Sequence, residues 1–153
     1  MRAAAARDLD RVAALASLLL AHHAGEGARF ALAPGGAGEL AALLAALRKD
    51  PARALLVADA GDAQLLGFAV AGVARRPGPF RERARGEIEW LFVRDEARRA
   101  GVGRALADAA LRFLSEQGVE RVEVQVARAN AGGAAFWHAL GFTATMDVLD
   151  RHL

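Results

Sequence analysis

The sequence predicts an α/β domain of the α+β type, in which one mixed sheet is flanked by helices. Three observations predict it: a length of 153 residues, a composition with 54% hydrophobic and 25% charged residues, and a hydrophobic period that changes between helical and strand spacing along the chain. The length suits one domain, and the composition supplies enough apolar material to bury a core. We therefore expect a single domain over residues 1–153, with elements in the order β-α-α-β-β-β-α-β-α-β.

Two amphipathic helices are predicted near the N-terminus. Asp8 is interpreted as an N-cap, because apolar residues at helical spacing follow it over 9–20. A glycine-rich break covers 25–38, and leucines over 40–47 then repeat the helical spacing until Pro51 ends it.

Strand spacing dominates the middle of the chain. Apolar runs at 54–58 and 65–73 flank the segment 59–62, which has the composition of a hairpin turn, so two antiparallel strands are predicted. Residues 76–86 are predicted as a polar loop, and 87–93 alternate as a third strand.

Two more helices and two more strands are predicted towards the C-terminus. An apolar face over 102–114 predicts a helix that Gly118 ends. Valines at alternate positions predict a half-buried strand over 120–127. A short helix is predicted over about 132–140, and a last strand over 142–149.

The composition excludes several classes of protein. The chain has no cysteine, which excludes a disulfide framework, a thiolate metal site and a cysteine nucleophile. Charged residues interrupt every apolar stretch well before ~18 residues and no signal-peptide pattern is visible, so we expect a cytoplasmic protein that does not enter a membrane. No metal site is predicted, because the adjacent His22 and His23 face differently on a helix and have no evident further ligands.

The segment 87–104 carries the most informative chemistry. It contains a strand, then Gly101 and Gly103 at the start of a helix, and three nearby cations: Arg98, Arg99 and Arg104. The free N–H groups and the dipole of a helix start favour an anion, and glycine brings no side chain to hold a phosphate away. A pyrophosphate site is therefore predicted, with a glycine-rich turn and solvated arginines as the alternative. A P-loop is excluded because no Lys-Ser or Lys-Thr pair follows, and the glycine spacing disfavours a Rossmann site.

Two spaced blocks of sequence extend this pattern. Arg98-Arg99-Ala100-Gly101-Val102-Gly103 follows the strand end Leu91-Phe92-Val93, and Asn130 precedes Ala134-Ala135-Phe136-Trp137-His138-Ala139-Leu140-Gly141-Phe142. These blocks resemble the [Q/R]-x-x-G-x-[G/A] signature and the Asn…Ala-x-x-[F/L]-Tyr-x-x-x-Gly-Phe segment of the GNAT superfamily of acyl-CoA N-acyltransferases. Together with the element order, the resemblance covers essentially the whole chain. Over residues 1–52 it is supported only by the pattern of predicted elements.

The resemblance implies a GNAT-like fold: a central, mostly antiparallel sheet, splayed between the strands at 87–93 and 120–127, with acetyl-CoA bound in the opening as acyl donor. An open strand edge suits an amide-bearing pantetheine arm. It implies that the backbone of Phe92 and Val93 pairs with that arm and that Asn130 bonds the pantetheine or thioester end. Amides between Arg99 and Arg104 would hold the pyrophosphate. The implied cofactor-binding residues are Leu91, Phe92, Val93, Arg98, Arg99, Ala100, Gly101, Val102, Gly103, Arg104, Asn130, Phe136 and Trp137.

The reaction that the resemblance implies is direct transfer of the acetyl group to a primary amine of a small molecule or peptide. Glu87 and Glu89 share a parity on the strand and are the candidate catalytic bases, with a solvated strand face as the alternative. Glu87 is preferred, since the family's catalytic glutamate lies there in several branches. The family commonly has Tyr where this chain has Trp137, which cannot protonate a thiolate. Trp137 is therefore expected to pack, and the proton donor stays open between water and the helix start near 131.

Two further interpretations stay open. A catalytically silent acyl-CoA-binding sensor or interaction module would explain the missing tyrosine. Nucleic-acid binding through the arginines of 75–85 is disfavoured, because the net charge is only +2 and the run contains two prolines and precedes a strand. A loop over the acceptor cleft explains the run better, and such arginines would favour an acceptor with a carboxylate or phosphate. The family resemblance also suggests a homodimer.

Overall fold

The structure, a computed structural model, describes residues 1–25, 31–61, 64–79, 81–149 and 151. One sheet of five strands forms its centre, with the strands side by side in chain order. The strands are β1 (Arg2–Ala3), β2 (Arg53–Asp59), β3 (Leu65–Arg75), β4 (Ala84–Val93) and β5 (Val122–Val124). The first four pair antiparallel and β5 runs parallel to β4, so the predicted mixed, mostly antiparallel sheet is confirmed.

Four helices cover the two faces of this sheet: α1 (Leu9–Ala24), α2 (Gly36–Lys49), α3 (Val102–Glu116) and α4 (Ala131–His138). On one face, α1 and α2 bury their leucines against Phe68 and Val70 of β3. On the other face, α3 buries Leu106 and Leu114 against alternate residues of β3 and β4. The alternation of strand side chains between the two faces explains why β3 is almost continuously apolar.

The start of α1 differs from the prediction. Asp8 directly precedes the helix, but its side chain makes no cap hydrogen bond to it. Instead, the fully buried carboxylate accepts the backbone N–H of Ala5 and pairs with Arg2 and Arg11, both at 2.6 Å. The Arg2 guanidinium, which outweighs the cost of burial, lowers the pKa of Asp8 to about 2. Asp8 therefore ties the edge strand to α1 through charge rather than through a helix cap.

The boundaries of several other elements also differ. The predicted polar loop at 76–86 is shorter, because β4 begins at Ala84. The strand expected over 120–127 is limited to Val122–Val124, where β4 supplies a partner. Position 62 of the predicted hairpin turn lies outside the described residues.

The strand expected over 142–149 is not formed. The sequence alternates as a strand would, but Met146, Val148 and Leu149 are each at least 70% exposed. The segment pairs with no described strand and its apolar side chains are not buried, so the alternating pattern alone does not make it a strand. In the described part of the chain, no helix is long and apolar enough to cross a membrane.

Candidate active site

The sheet opens where β4 continues beyond its parallel neighbour. Gly86, Glu87 and Ile88 pair with residues 122–124 of β5, and the pairing stops there. β4 goes on to Val93, with β3 on one side and, among the described strands, no partner on the other. The free edge over 89–93 therefore exposes backbone N–H and C=O groups at the predicted splay.

A β-bulge at Glu89 shapes the floor beside this opening. Val70 of β3 pairs with Trp90 and Ala71 with Ile88, which leaves Glu89 as the extra residue of β4. Gly72, the partner of Glu87, has no side chain, and a Cβ there would lie 3.2 Å from Oε1 of Glu89. Because paired residues project to the same face of a sheet, Glu87 and Glu89 lie on one face despite the bulge.

Both glutamates have guanidinium partners. Oε1 of Glu87 accepts hydrogen bonds from Nε and Nη2 of Arg85, at 3.1 and 2.7 Å. Glu89 pairs with Arg53, which projects from β2 over Gly72. The side chains of these four residues are between a quarter and a third exposed. The glutamates also line a cavity of about 180 Å³ together with Ile88, Glu123 and Gln125. The two glutamates are thus paired with arginines on a partly exposed strand face.

The predicted pyrophosphate cradle lies just beyond the free edge. Gly101 precedes α3 with φ +80°, a left-handed conformation that glycine adopts readily, and Arg99 has φ +61°. For arginine this costs about 1–2 kcal/mol, and such strain concentrates at functional sites. The first bond of the helix runs from the Ala105 N–H to the Gly101 carbonyl. The amides of residues 102–104 precede that bond and have no partner within the helix.

Two of the predicted cationic side chains serve the surrounding scaffold. Nε of Arg98 donates to the carbonyl of Val93, and its guanidinium pairs with Asp95 at 2.9 Å. Arg104 donates to the carbonyl of Ala139 at the end of α4, at 3.3 Å. Both guanidiniums are near the helix start, while Arg99 and Ala100 are exposed beside it. The structure thus gives Arg98 and Arg104 contacts that shape the cradle.

The second sequence block folds as α4 and packs against the first. Asn130 is the N-cap, and its side-chain oxygen accepts the Gly133 N–H at 2.7 Å. A Cβ on Gly133 would lie 2.9 Å from that side chain, so the cap requires glycine there. Phe136 contacts the start of α3, because a Cβ on Gly103 would lie 3.3 Å from Cε2 of the ring.

Trp137 belongs to the core between α3 and α4. Its ring stacks edge-to-face with Phe136 and Phe142 and packs against the cluster of Ile88 and Leu114. Nδ1 of His138 lies 2.8 Å from the carbonyl of Phe142, to which it donates. The expectation that Trp137 packs, with His138 on another side of the helix, agrees with this arrangement.

Four residues near the site escaped the sequence analysis: Arg53, Arg121, Glu123 and Gln125. Arg85 was assigned to a loop over the acceptor cleft, yet it is part of β4 and its Nε also lies 2.8 Å from Oε2 of Glu123. The only available signal was the alternation of Arg121, Glu123 and Gln125 in the predicted strand, which places them on one face. In the described chain, no group of three or more His, Asp or Glu side chains could hold a metal ion.

Comparison with known proteins shows the family of the chain. The model of the Acetyltransferase (GNAT) family matches residues 27–142, three quarters of the chain. The chain belongs to the GNAT acetyltransferase family. The match includes both sequence blocks, the splayed strands and the start of α3. The resemblance found in the sequence and the predicted GNAT fold are confirmed.

Curated relatives and solved structures agree with this assignment. Mycothiol acetyltransferase of Beutenbergia cavernae is 40% identical over 94 residues, 61% of this chain and 29% of that protein. That of Pseudarthrobacter chlorophenolicus is 33% identical over 144 residues, 94% of this chain and 42% of that protein. The chain thus spans well under half the length of these relatives.

Solved structures match over almost the whole chain and show the fold. A variant of the BH1408 protein from Bacillus halodurans superposes with a TM-score of 0.86 at 21% identity, covering 99% of this chain and 98% of that one. Aminoglycoside N-acetyltransferase AAC(6')-Iy, in complex with CoA, superposes with a TM-score of 0.80 at 20% identity, covering 99% and 92%.

Proposed function

We propose that this GNAT chain is an acetyl-CoA-dependent N-acetyltransferase that acts on a primary amine of a small molecule. The observation that carries the proposal is the free edge of β4 over 89–93, which leads directly to the glycine-rich start of α3. A strand edge and a helix start are what an acyl-CoA needs, since its pantetheine arm carries amides and its other end a pyrophosphate. The mycothiol and aminoglycoside acetyltransferases among its relatives support a small-molecule amine.

The donor would lie along the opening between β4 and β5. The backbone of Phe92 and Val93 would pair with the pantetheine arm, because their side chains are buried on opposite faces and β4 has no described partner strand at this edge. The Val93 carbonyl also accepts a hydrogen bond from Nε of Arg98. The amides of residues 99–104 would hold the pyrophosphate, whose charge the helix dipole favours. Leu91, Ala100 and Val102 would shape the walls. The guanidiniums of Arg98, Arg99 and Arg104 would supply positive charge around the cradle.

The block around α4 would close the other side of the donor site. Phe136 and Trp137 would support the donor through packing, since both rings lie at the junction of α3 and α4. The side-chain oxygen of Asn130 is used by its helix cap, so only its amide group would donate to the pantetheine or thioester end.

The acetyl group would pass directly to the amine, because the chain has no cysteine to carry it. An amine attacks only when it is neutral, and Glu87 would take the ammonium proton, with Glu89 beside it to hold the acceptor. The amine nitrogen then bonds to the thioester carbon, the carbon–sulfur bond breaks to release the CoA thiolate, and the acylated nitrogen loses its second proton to water. Trp137 cannot protonate the thiolate, so water would do so or the amides at the start of α4 would stabilise its charge. Holding both reactants in one cleft supplies much of the rate, roughly 7–11 kcal/mol in favourable cases.

Nucleic-acid binding is not needed to explain the arginines of 75–85. Arg81 and Arg83 are exposed, whereas Arg85 is engaged with Glu87 and Glu123 inside the cleft. Phe80, the single aromatic residue of this run, lies outside the described residues. A cytoplasmic location and a homodimer remain predictions from the sequence.

The test is an acetylation assay of the purified chain with acetyl-CoA and four primary amines. The amines are phenylethylamine, glucosamine, glycylglycine and spermidine, which represent a neutral monoamine, an amino sugar, a peptide and a polyamine. A thiol reagent detects released CoA, and the absence of cysteine means that the protein does not react with it. Release that depends on the amine supports the proposal. Binding of acetyl-CoA without transfer to any amine would favour the silent sensor instead.

A further inference from the structure

A row of alternating charges crosses β4 and β5 on the face that holds the candidate base. It runs Glu87, Arg85, Glu123, Arg121, Glu82, and we call it the ion-pair row. Glu87 and Glu123 are register partners in the parallel pair of strands, so the two carboxylates lie side by side. The row has three carboxylates and two guanidiniums, and Glu87 ends it at the cavity with one cationic partner within the row.

Arg85 is shared between Glu87, at the end of the row, and Glu123, at its centre. Its Nε and Nη2 donate to Glu87, and the same Nε lies 2.8 Å from Oε2 of Glu123. Glu123 also pairs with Arg121, which Glu82 holds through two hydrogen bonds of 2.6 Å. Glu82 holds Arg121 at the far end of the row. Arg85 can pair with either Glu87 or Glu123.

A guanidinium held by Glu87 works against the proposed chemistry. It holds Oε1 of Glu87 with two hydrogen bonds, and an acceptor ammonium that approaches this oxygen must replace them. Removing the guanidinium altogether would leave a partly buried charge unpaired, which is costly. Transfer to a second carboxylate avoids both penalties.

We propose that Glu123 is a positioning residue that takes Arg85 when the acceptor ammonium reaches Glu87. This inference rests on the proposed function, in which Glu87 is the base. Glu87 exchanges one cation for another, receives a proton from the ammonium and becomes neutral, while the amine becomes free to attack. Arg85 meanwhile stays paired with Glu123. The facing groups that share this environment are Glu89 with Arg53, and Arg121 with Glu82.

The test compares Glu123→Gln with Glu82→Gln in the acetylation assay, using the amine that gives the fastest CoA release. Both variants remove one carboxylate from the ion-pair row, but only Glu123 contacts Arg85. We expect Glu123→Gln to lower kcat/KM for the amine at least tenfold and to leave KM for acetyl-CoA unchanged. Glu82→Gln is expected to stay within twofold of the wild type. Equal rates in the two variants would overturn the proposal.

A double variant separates positioning from a general loss of structure. In Arg85→Gln there is no guanidinium to relocate, so adding Glu123→Gln to it should cost less than twofold. If the loss of activity in the double variant equals the product of the losses in the two single variants, Glu123 acts independently of Arg85 and the proposal is wrong. Thermal unfolding and acetyl-CoA binding of each variant verify that the fold is kept.

Glu87→Gln separates a failure of the base assignment from a failure of the role proposed for Glu123. If it keeps wild-type turnover, or if no amine is acetylated, the base assignment fails and the role of Glu123 fails with it. If Glu87→Gln is inactive while Glu123→Gln is fully active, only the role of Glu123 is overturned.

Discussion

Gly103 and Phe136 lie against each other at the junction of α3 and α4, where a Cβ on the glycine would be 3.3 Å from the ring. The two residues are 33 positions apart in the chain (136 − 103) and come from the two blocks that carried the family resemblance. Their contact joins the two blocks, because a side chain from α4 packs against the start of α3.

A larger side chain at Gly103 should disturb this junction. Gly103→Val forces Phe136 away from α3, since overpacking shifts neighbours and costs about 1–3 kcal/mol. We expect calorimetry to show acetyl-CoA binding weakened at least tenfold. Gly38→Val in α2 is the control, because nothing lies within 4 Å of its Cβ position. Unchanged affinity of Gly103→Val for acetyl-CoA would mean that the start of α3 is not part of the donor site.

The two glutamates of β4 should differ in importance. Glu87→Gln removes the proposed base, and loss of a general base typically costs 10²–10⁴-fold in rate. Glu89→Gln should cost less than tenfold, because Glu89 is paired with Arg53 and is proposed only to hold the acceptor. Steady-state rates of both variants, with acetyl-CoA binding as the control, decide the order. The reverse order would transfer the base role to Glu89.

Adjacent glycines in α4 should differ in their tolerance of alanine. Gly133→Ala places a Cβ 2.9 Å from the Asn130 side chain and disrupts the helix cap, worth about 1 kcal/mol. Gly132→Ala has only Asn130 Oδ1 within 4 Å, at 3.9 Å. Alanine favours a helix by about 1 kcal/mol over glycine at both positions, so the cap sets the difference between the two variants. Thermal unfolding should therefore show a lower Tm for Gly133→Ala than for Gly132→Ala. Equal Tm values would mean that the cap does not stabilise the helix.

Asp8 should make stability depend on pH at the acidic end. Its pKa is lowered from an ordinary value of 3.8 to about 2, mainly by Arg2. The folded state therefore binds this proton more weakly than the unfolded state, and the stabilisation is present above pH 4 and lost as the pH falls towards 2. The pKa difference corresponds to roughly 2 kcal/mol.

Asp8→Asn tests this linkage directly, because asparagine resembles the protonated acid. Denaturant unfolding should show the variant about 2 kcal/mol less stable than the wild type at pH 7, with the difference narrowing between pH 4 and pH 2. A difference that stays constant over this range would assign the effect to packing rather than to charge.

Local pattern was sufficient to predict α3, its glycine-rich start and the strands of the middle region. The change from strand spacing to helical spacing predicted that α3 begins directly after Gly101. The ion pairs of Arg85 could not be predicted from the sequence. They depend on Glu123, which is 38 residues away (123 − 85) and pairs in parallel register with Glu87. The bulge at Glu89 was equally hidden, since alternation alone gives no sign of an extra residue.

Tertiary contacts also overrode two predictions that local rules favoured. Asp8 had the right type and position for an N-cap, but the two arginines beside it offered a stronger partner than a helix N–H. The alternation over 142–149 is real, yet a strand needs pairing and burial, and this segment pairs with no described strand.

Calorimetric titration of the purified chain with acetyl-CoA, CoA, NAD and ATP tests the central claim most directly. We expect acetyl-CoA to bind with micromolar affinity, about 8 kcal/mol, while NAD produces no heat. CoA should also bind, because the free edge of β4 and the start of α3 would contact the pantetheine arm and the pyrophosphate rather than the acetyl group. No binding of any of the four would mean that Gly101 and Gly103 form only a turn, and would contradict the assignment of this opening as an acyl-CoA site.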